Sequence, residues 1–271
     1  MRIGIVGLGQ IGGSIALSLK KNGQYEVWGT DLNKTLVDEI SSRIDATVEN
    51  LSELKKSVEF VILATPINTV KKLLREFEGF NGIVMDTGST KLEIMEVARK
   101  SQIKFVGGHP LAGTEKRGQE GWRDDLFIGA KFFLSGNLRR RDRLIVEKVV
   151  KAIGAQPTWI EPEIHDLVMA YTSHMPYVIA LALTKLSSKY IDFWGPGIKS
   201  TTRIAAQDPG MAFDILMTNR KNIENALQDF SNILMELKIL MRNPHELKDF
   251  LGKIAEIRRM ADTESDKEEN L

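Results

Sequence analysis

Arg2 to Val6 reads as a short buried strand, and the chain runs from it straight into Gly7-Leu8-Gly9-Gln10-Ile11-Gly12. This is a G-x-G-x-x-G, and helical spacing follows from Ser14 to Lys20. Strand, glycine turn and helix in immediate succession form a dinucleotide-binding fingerprint. Gly7 is expected to allow the tight turn. Gly9 leaves its backbone open to a pyrophosphate, and Gly12 lets helix and strand pack closely. Leu8, Gln10 and Ile11 complete the same turn, at a helix N-terminus whose free N–H groups attract phosphate. The next apolar, β-prone segment, Tyr25 to Thr30, ends at Asp31. A carboxylate there accepts the adenosine ribose hydroxyls and repels a 2′-phosphate, so NAD is favoured over NADP. Lys34, just beyond, is placed to soften that discrimination.

The first half of the chain alternates strand and helix. Strands are expected at Arg2–Val6, Glu26–Thr30, Phe60–Ala64, Gly82–Asp86 and Lys104–Gly107, with helical patterns such as Val70–Glu78 and Leu92–Lys100 between them. That alternation predicts an α/β, Rossmann-type, doubly wound parallel sheet. Lys131–Leu134 and Gln156–Ile160 are candidate outer strands. Thr65 and Pro66 close the third strand and Ser89 lies just past the fourth, at the carboxyl ends where open α/β sheets bind ligands. After about Glu161 strand signals vanish. Ile223, Ala226, Leu227, Phe230, Ile233, Leu234 and Leu237 mark one apolar helix face. Tyr177–Leu183 is apolar on all sides, so that helix is expected to be central. The division is thus a dinucleotide-binding domain, 1–160, followed by an all-α domain, 161–271. So many apolar helical faces predict a homodimer through the second domain.

Composition narrows the function. With Lys+Arg 37 against Asp+Glu 36, a net charge of +1 gives no argument for nucleic acid or an anionic membrane. The Tyr177–Leu183 run alone is too short to span a bilayer. There is no cysteine, which excludes disulfides, thiol catalysis and Cys-based zinc sites. The N-terminus enters a strand at once, with no room for a signal peptide, and a cytoplasmic setting is expected.

Of four histidines, two have unusual surroundings. His109 lies in Gly107-Gly108-His109-Pro110-Leu111-Ala112-Gly113-Thr114-Glu115, read as a loop at the carboxyl end of a strand, where it can face a nicotinamide. His174 lies in Ser173-His174-Met175-Pro176-Tyr177 at the front of the most apolar helix. Alone it reads more readily as a hydrogen-bonded core residue than as a ligand. Arg203 alone reads as a solvated arginine.

Together these segments resemble the prephenate/arogenate dehydrogenase family of tyrosine biosynthesis. The resemblance rests on Asp86-Thr87-Gly88-Ser89-Thr90-Lys91, Gly107 to Glu115, His165-Asp166, Ser173-His174-Met175-Pro176, and Thr202-Arg203-Ile204-Ala205 followed by Asp208-Pro209. It implies oxidative decarboxylation of prephenate or arogenate with NAD, and dimerisation through the helical domain. It implies that His109 takes the proton of the ring hydroxyl and that Ser89 lies near that hydroxyl and the nicotinamide. It further implies that Arg203, with Lys199, holds a substrate carboxylate, that His174 shapes the pocket, and that Thr114 and Glu115 stand at its mouth. Tyr177 occupies a position where family members acting on prephenate often have histidine, and Ser200-Thr201 replace an acid–aromatic pair. Both departures leave prephenate and arogenate open. A β-hydroxyacid or 6-phosphogluconate type of dehydrogenase, and a nucleotide-sensing regulator without catalysis, are the competing readings.

Overall fold

The computed structural model describes residues 1–114, 116 and 118–269, with side-chain surroundings through 261. The chain forms two compact units, Met1–Arg220 and Lys221–Leu271.

The first unit is built on β1 (Arg2–Val6), β2 (Glu26–Thr30), β3 (Ala46–Thr47), β4 (Phe60–Leu63), β5 (Ile83–Asp86), β6 (Lys104–Pro110), β7 (Lys131–Ser135) and β8 (Gln156–Trp159). Their order in the sheet is β3-β2-β1-β4-β5-β6-β7-β8. All neighbours are parallel except β6 and β7. The winding reverses between β1 and β4, which opens a crevice at the carboxyl ends of these two strands. The connecting helices are α1 (Gln10–Asn22), α2 (Lys34–Ser41), α3 (Leu51–Ser57), α4 (Ile67–Glu76), α5 (Leu92–Lys100) and α6 (Arg140–Ala152). Alternation along the strands places Phe60, Ile62, Ile83 and Met85 in one apolar cluster and Val61, Leu63 and Val84 in another. Both faces of the sheet are therefore covered, which is why its strands read as unbroken apolar runs.

α7 (Pro162–Met169) continues through one π-helical turn, 170–174, into α8 (Met175–Ser187). Met175 N–H reaches back to Ala170 C=O, five residues away. Pro176 explains the widened turn: it has no N–H, and in a regular helix its ring would strike the Thr172 carbonyl. α9 (Pro196–Thr202) and α10 (Pro209–Thr218) complete this unit. Contrary to expectation, Tyr177–Leu183 is not central within the chain: Ala180 alone is buried in α8. The helical run Pro162–Phe193 is also longer than the sequence suggested. It is long and apolar enough to cross a membrane, and 28% of its most apolar window is buried. A helix apolar all round that docks along one edge leaves its remaining faces for another apolar surface.

The second unit comprises α11 (Arg220–Leu240) from Lys221 onward and α12 (Pro244–Glu269). Ile233, Leu234 and Ile239 of α11 and Leu251, Ile254 and Ile257 of α12 are exposed in the single chain.

Candidate active site

The glycine turn has the sterics its sequence requires. Gly7 adopts φ +92°, and a Cβ there would meet the Ala64 carbonyl at 2.5 Å. A Cβ on Gly12 would come within 1.8 Å of the Gly7 carbonyl, whereas one on Gly9 meets nothing within 4 Å. Leu8 buries its side chain completely, so only its backbone faces the turn. Its N–H donates to Asp31 Oδ2 at 2.6 Å, and Asn33 N–H donates to Oδ1 at 2.7 Å. The carboxylate at the end of β2 is thereby held against the turn. Trp122 Nε1 donates to the Leu8 and Gly9 carbonyls at 3.0 and 3.1 Å. The Gln10 side chain binds Thr114 and the Lys116 carbonyl.

A crevice of about 370 Å³ opens beside this turn, lined by Gly9, Gln10, Ile11, Thr65, Pro66, Ser89 and Lys116 among others. Its chemistry fits a dinucleotide. Gly9 faces open space, and α1 begins without a side-chain cap, leaving N–H groups for a phosphate. Thr65 Oγ1 is buried without a hydrogen-bond partner among the described residues, an orphan that a ligand can satisfy.

A second cavity of about 260 Å³ brings Ser89, His109, His174 and Tyr177 together with Thr172, Ser173, Gln207 and the apolar Ile204, Met211, Ile215 and Leu216. Ser89 and Met211 line both spaces, so the two adjoin there. His109 is not on a loop, as the sequence suggested, but inside β6. Its segment pairs antiparallel with β7, His109 opposite Phe133. The glycines before it admit a buried ion pair. A Cβ on Gly108 would lie 2.4 Å from the Asp86 carbonyl, and one on Gly107 2.9 Å from Lys91 Cδ. Lys91, wholly buried, binds Asp86 Oδ2 at 2.5 Å and the Gly108 carbonyl at 2.7 Å. Asp86 in turn accepts the N–H groups of Gly88 and Gly108.

Behind His109 runs a second buried chain of polar groups. His109 Nδ1 lies 2.9 Å from His165 Nε2, and His165 Nδ1 lies 2.8 Å from Asp166 Oδ1. Asp166 also accepts the N–H groups of Lys91 and Leu92 at the start of α5. Asn219 donates to the Asp166 carbonyl at 2.6 Å and approaches His174 Nδ1 at 3.1 Å. Burial is the chief cause holding His109 well below the ordinary imidazole pKa, reinforced by repulsion from His165, Lys91 and His174. Burial likewise lowers His174 to about 4, against the attraction of Asp166. Both imidazoles are neutral at pH 7, so the cavity offers hydrogen-bonding nitrogens rather than cations.

The structure thus gathers Ser89, His109, His174 and Tyr177 in one cavity and sets it beside the glycine crevice. Lys199 and Arg203 are exposed and do not line the cavity. Thr114 lies on the Gln10 side chain, and Glu115 falls outside the described residues. Sequence reasoning assigned no role to Asp86, Lys91, His165, Asp166 or Asn219. His165-Asp166 was legible as a motif, but nothing local says that a histidine 56 residues away bonds to it.

Residues 15–156 match the family model described as prephenate dehydrogenase, nucleotide-binding domain, and 161–265 match prephenate dehydrogenase, dimerization domain. The prephenate dehydrogenase of Lactococcus lactis is 30% identical, over 95% of this chain and 77% of its own. The solved structure of Aquifex aeolicus prephenate dehydrogenase with hydroxyphenyl propionate and NAD+ superposes with TM-score 0.89 at 30% identity, covering 96% of this chain and 98% of that one. Synechocystis arogenate dehydrogenase gives 0.83 at 25% identity, covering 96% and 100%. With both halves of the chain matched and a 30% identical relative spanning nearly all of it, this protein belongs to the prephenate dehydrogenase family.

Proposed function

We propose that the protein is an NAD-dependent dehydrogenase that converts prephenate to 4-hydroxyphenylpyruvate and carbon dioxide. One observation carries this reading: a buried, neutral histidine lines a cavity that adjoins the dinucleotide crevice at Ser89. NAD bound in the crevice would supply the acceptor for the hydride of the ring carbon bearing the hydroxyl. As that C–H bond breaks, His109 takes the hydroxyl proton; its lowered pKa keeps the imidazole in the neutral, accepting form. The electron pair of the ring–carboxylate bond then enters the ring, carbon dioxide departs and aromaticity is gained. His109 returns its proton to the ring oxygen, leaving a phenol and no net change on the enzyme. Ser89, on the boundary of the two spaces, would orient the hydroxyl toward the imidazole. His174 and Tyr177 shape the opposite wall. Arg203 and Lys199, outside the cavity lining, supply the positive charge for a substrate carboxylate, and Thr114 and Glu115 stand at the entrance. The chain's part is positioning, proton transfer and exclusion of water.

On the cofactor side the backbone of Gly7 to Gly12 would cradle the pyrophosphate and Asp31 would take the ribose hydroxyls, with Thr65 and Pro66 bordering the crevice. The family's own break between 156 and 161 supports a domain boundary at 160/161. The exposed apolar side chains of α8, α11 and α12, in a segment matching a dimerization domain, support a homodimer. Arogenate is the second reading, favoured by Tyr177 in the cavity, at the position where family members acting on prephenate often have histidine, and by the likeness to the Synechocystis enzyme. Incubation with NAD and either prephenate or arogenate, followed by NADH absorbance and carbon dioxide release, tests the proposal. Turnover of prephenate at the higher kcat/KM supports it. A higher value for arogenate transfers the assignment to that substrate, and no NADH with either refutes both.

A further inference from the structure

Behind His109 lies a chain of groups that touches neither cavity. His165 is fully buried and Asp166 is 1% exposed, and neither lines either space. The hydrogen-bond polarity of that chain can be read from its far end. Asp166 receives two backbone N–H groups, from Lys91 and Leu92 at 2.7 and 2.9 Å. Its carboxylate is therefore an acceptor, and the third partner, His165 Nδ1, must donate to it. With the single ring proton on Nδ1, His165 offers Nε2 as an acceptor. Among the described residues, the nitrogen that Nε2 meets is His109 Nδ1 at 2.9 Å, which must carry a proton to make that contact. The lone pair of a neutral His109 is left on Nε2, the ring nitrogen not engaged in this contact.

We infer that His165 and Asp166 are positioning residues that hold His109 in the Nδ1–H tautomer, with Nε2 as the proton-accepting atom of the cavity. This deepens the proposed dehydrogenase reading and rests on it for its kinetic arm alone. Without the pair, a buried neutral imidazole could carry its proton on Nε2 and present a donor where the reaction requires an acceptor. When His109 takes the substrate proton on Nε2 its ring becomes cationic. Its Nδ1–H then donates to His165, whose Nδ1–H donates to Asp166, so the new charge forms at the end of an aligned acceptor chain. Among the described residues, the charged or titratable groups around His109 are His165 and Asp166 behind it, the Asp86–Lys91 pair against Gly108, and His174 and Tyr177 in the lining of the same cavity. None of the others sets the His109 tautomer by a hydrogen bond.

The first test needs no activity. Nitrogen-15 NMR of the histidine-labelled wild-type protein at pH 7 reports which ring nitrogen carries the proton. Protonated Nδ1 and bare Nε2 on His109 are expected, and the reverse tautomer overturns the inference. The second test is kinetic. His165→Phe keeps the ring volume and the contact with Phe133 but removes the acceptor. A loss of roughly 100-fold in kcat is expected, between loss of one hydrogen bond and complete inversion of a catalytic histidine. KM for substrate and NAD affinity should stay within about threefold, because the variant touches neither cavity. His165→Gln, whose carbonyl can accept from His109 Nδ1, should recover at least tenfold of the loss. Equal kcat losses in the Phe and Gln variants, or an unchanged kcat in both, overturn the positioning role. Should neither prephenate nor arogenate be a substrate, the tautomer measurement still decides the inference, so its failure and that of the proposed reaction remain distinct.

Discussion

Replacing His109 with Asn separates the chemistry from the architecture. The Asn amide occupies the place of the imidazole Nδ1 and can donate to His165 Nε2, as His109 Nδ1 does at 2.9 Å. The variant therefore avoids most of the roughly 1–3 kcal/mol that an unpaired buried acceptor costs. The glycine turn and Asp31 are untouched, so NAD affinity should hold. What disappears is the group that takes a proton. A positioned base contributes about 100- to 10,000-fold, so the activation barrier should rise by about 2.7–5.4 kcal/mol and kcat should fall accordingly. The pH profile gives a second reading. His109 must be neutral to accept, and burial holds its pKa well below the ordinary 6.5. The acidic limb of kcat/KM in the wild type should therefore lie well below pH 6.5, and it should be missing from the Asn variant. The assay is initial-rate NADH formation from pH 4.5 to 8, with far-ultraviolet circular dichroism to check the fold. Near-normal turnover with the wild-type pH profile would refute the role of His109. A wild-type limb at about 6.5 would refute the electrostatic account of its surroundings.

His174 titrates at about 4 in the folded chain against 6.5 when unfolded, so the unfolded state binds the proton first on acidification. Its contribution to stability is whole above pH 6.5 and drains away toward pH 4. Chemical denaturation should show a loss of about 2 kcal/mol from this group between pH 6.5 and 5, and His174→Gln should flatten that part of the slope. Lys91→Met strands the buried Asp86 carboxylate and should cost about 3–5 kcal/mol in urea unfolding, with much of it restored by adding Asp86→Asn. Asp31→Ser should narrow the preference for NAD over NADP. It should also raise the KM for NAD, since Asp31 tethers the Leu8 N–H; an unchanged cofactor ratio moves ribose recognition elsewhere. Arg203→Ala should raise substrate KM with NAD affinity intact, and an unaltered KM removes Arg203 from the site.

What the sequence determined by itself is whatever local sterics and periodicity require. Gly7, Gly9 and Gly12 were legible because a positive φ, an open approach and a helix–strand contact each exclude a side chain within a few residues. Phe60 to Leu63 and Ile83 to Asp86 were legible as buried strands because a sheet covered on both faces demands unbroken apolar runs. His109 and His174 stood out by their neighbours, and family likeness joined them to Ser89. Tertiary structure alone decided the rest. Pairing with β7 extends β6 through His109, and a strand 22 residues or more away cannot be seen in Gly107–Pro110 itself. Lys91 carries no local mark of total burial, because its partners Asp86 and Gly108 reach it from two different strands. The face that α8 leaves bare depends on what docks against it, since a helix apolar on every side names no preferred face. The basicity of His109 and the polarity of its hydrogen bonds follow from desolvation and from His165 and Asp166. Both arise only when distant segments close around one ring and exclude water, and no spacing in the chain encodes that in advance.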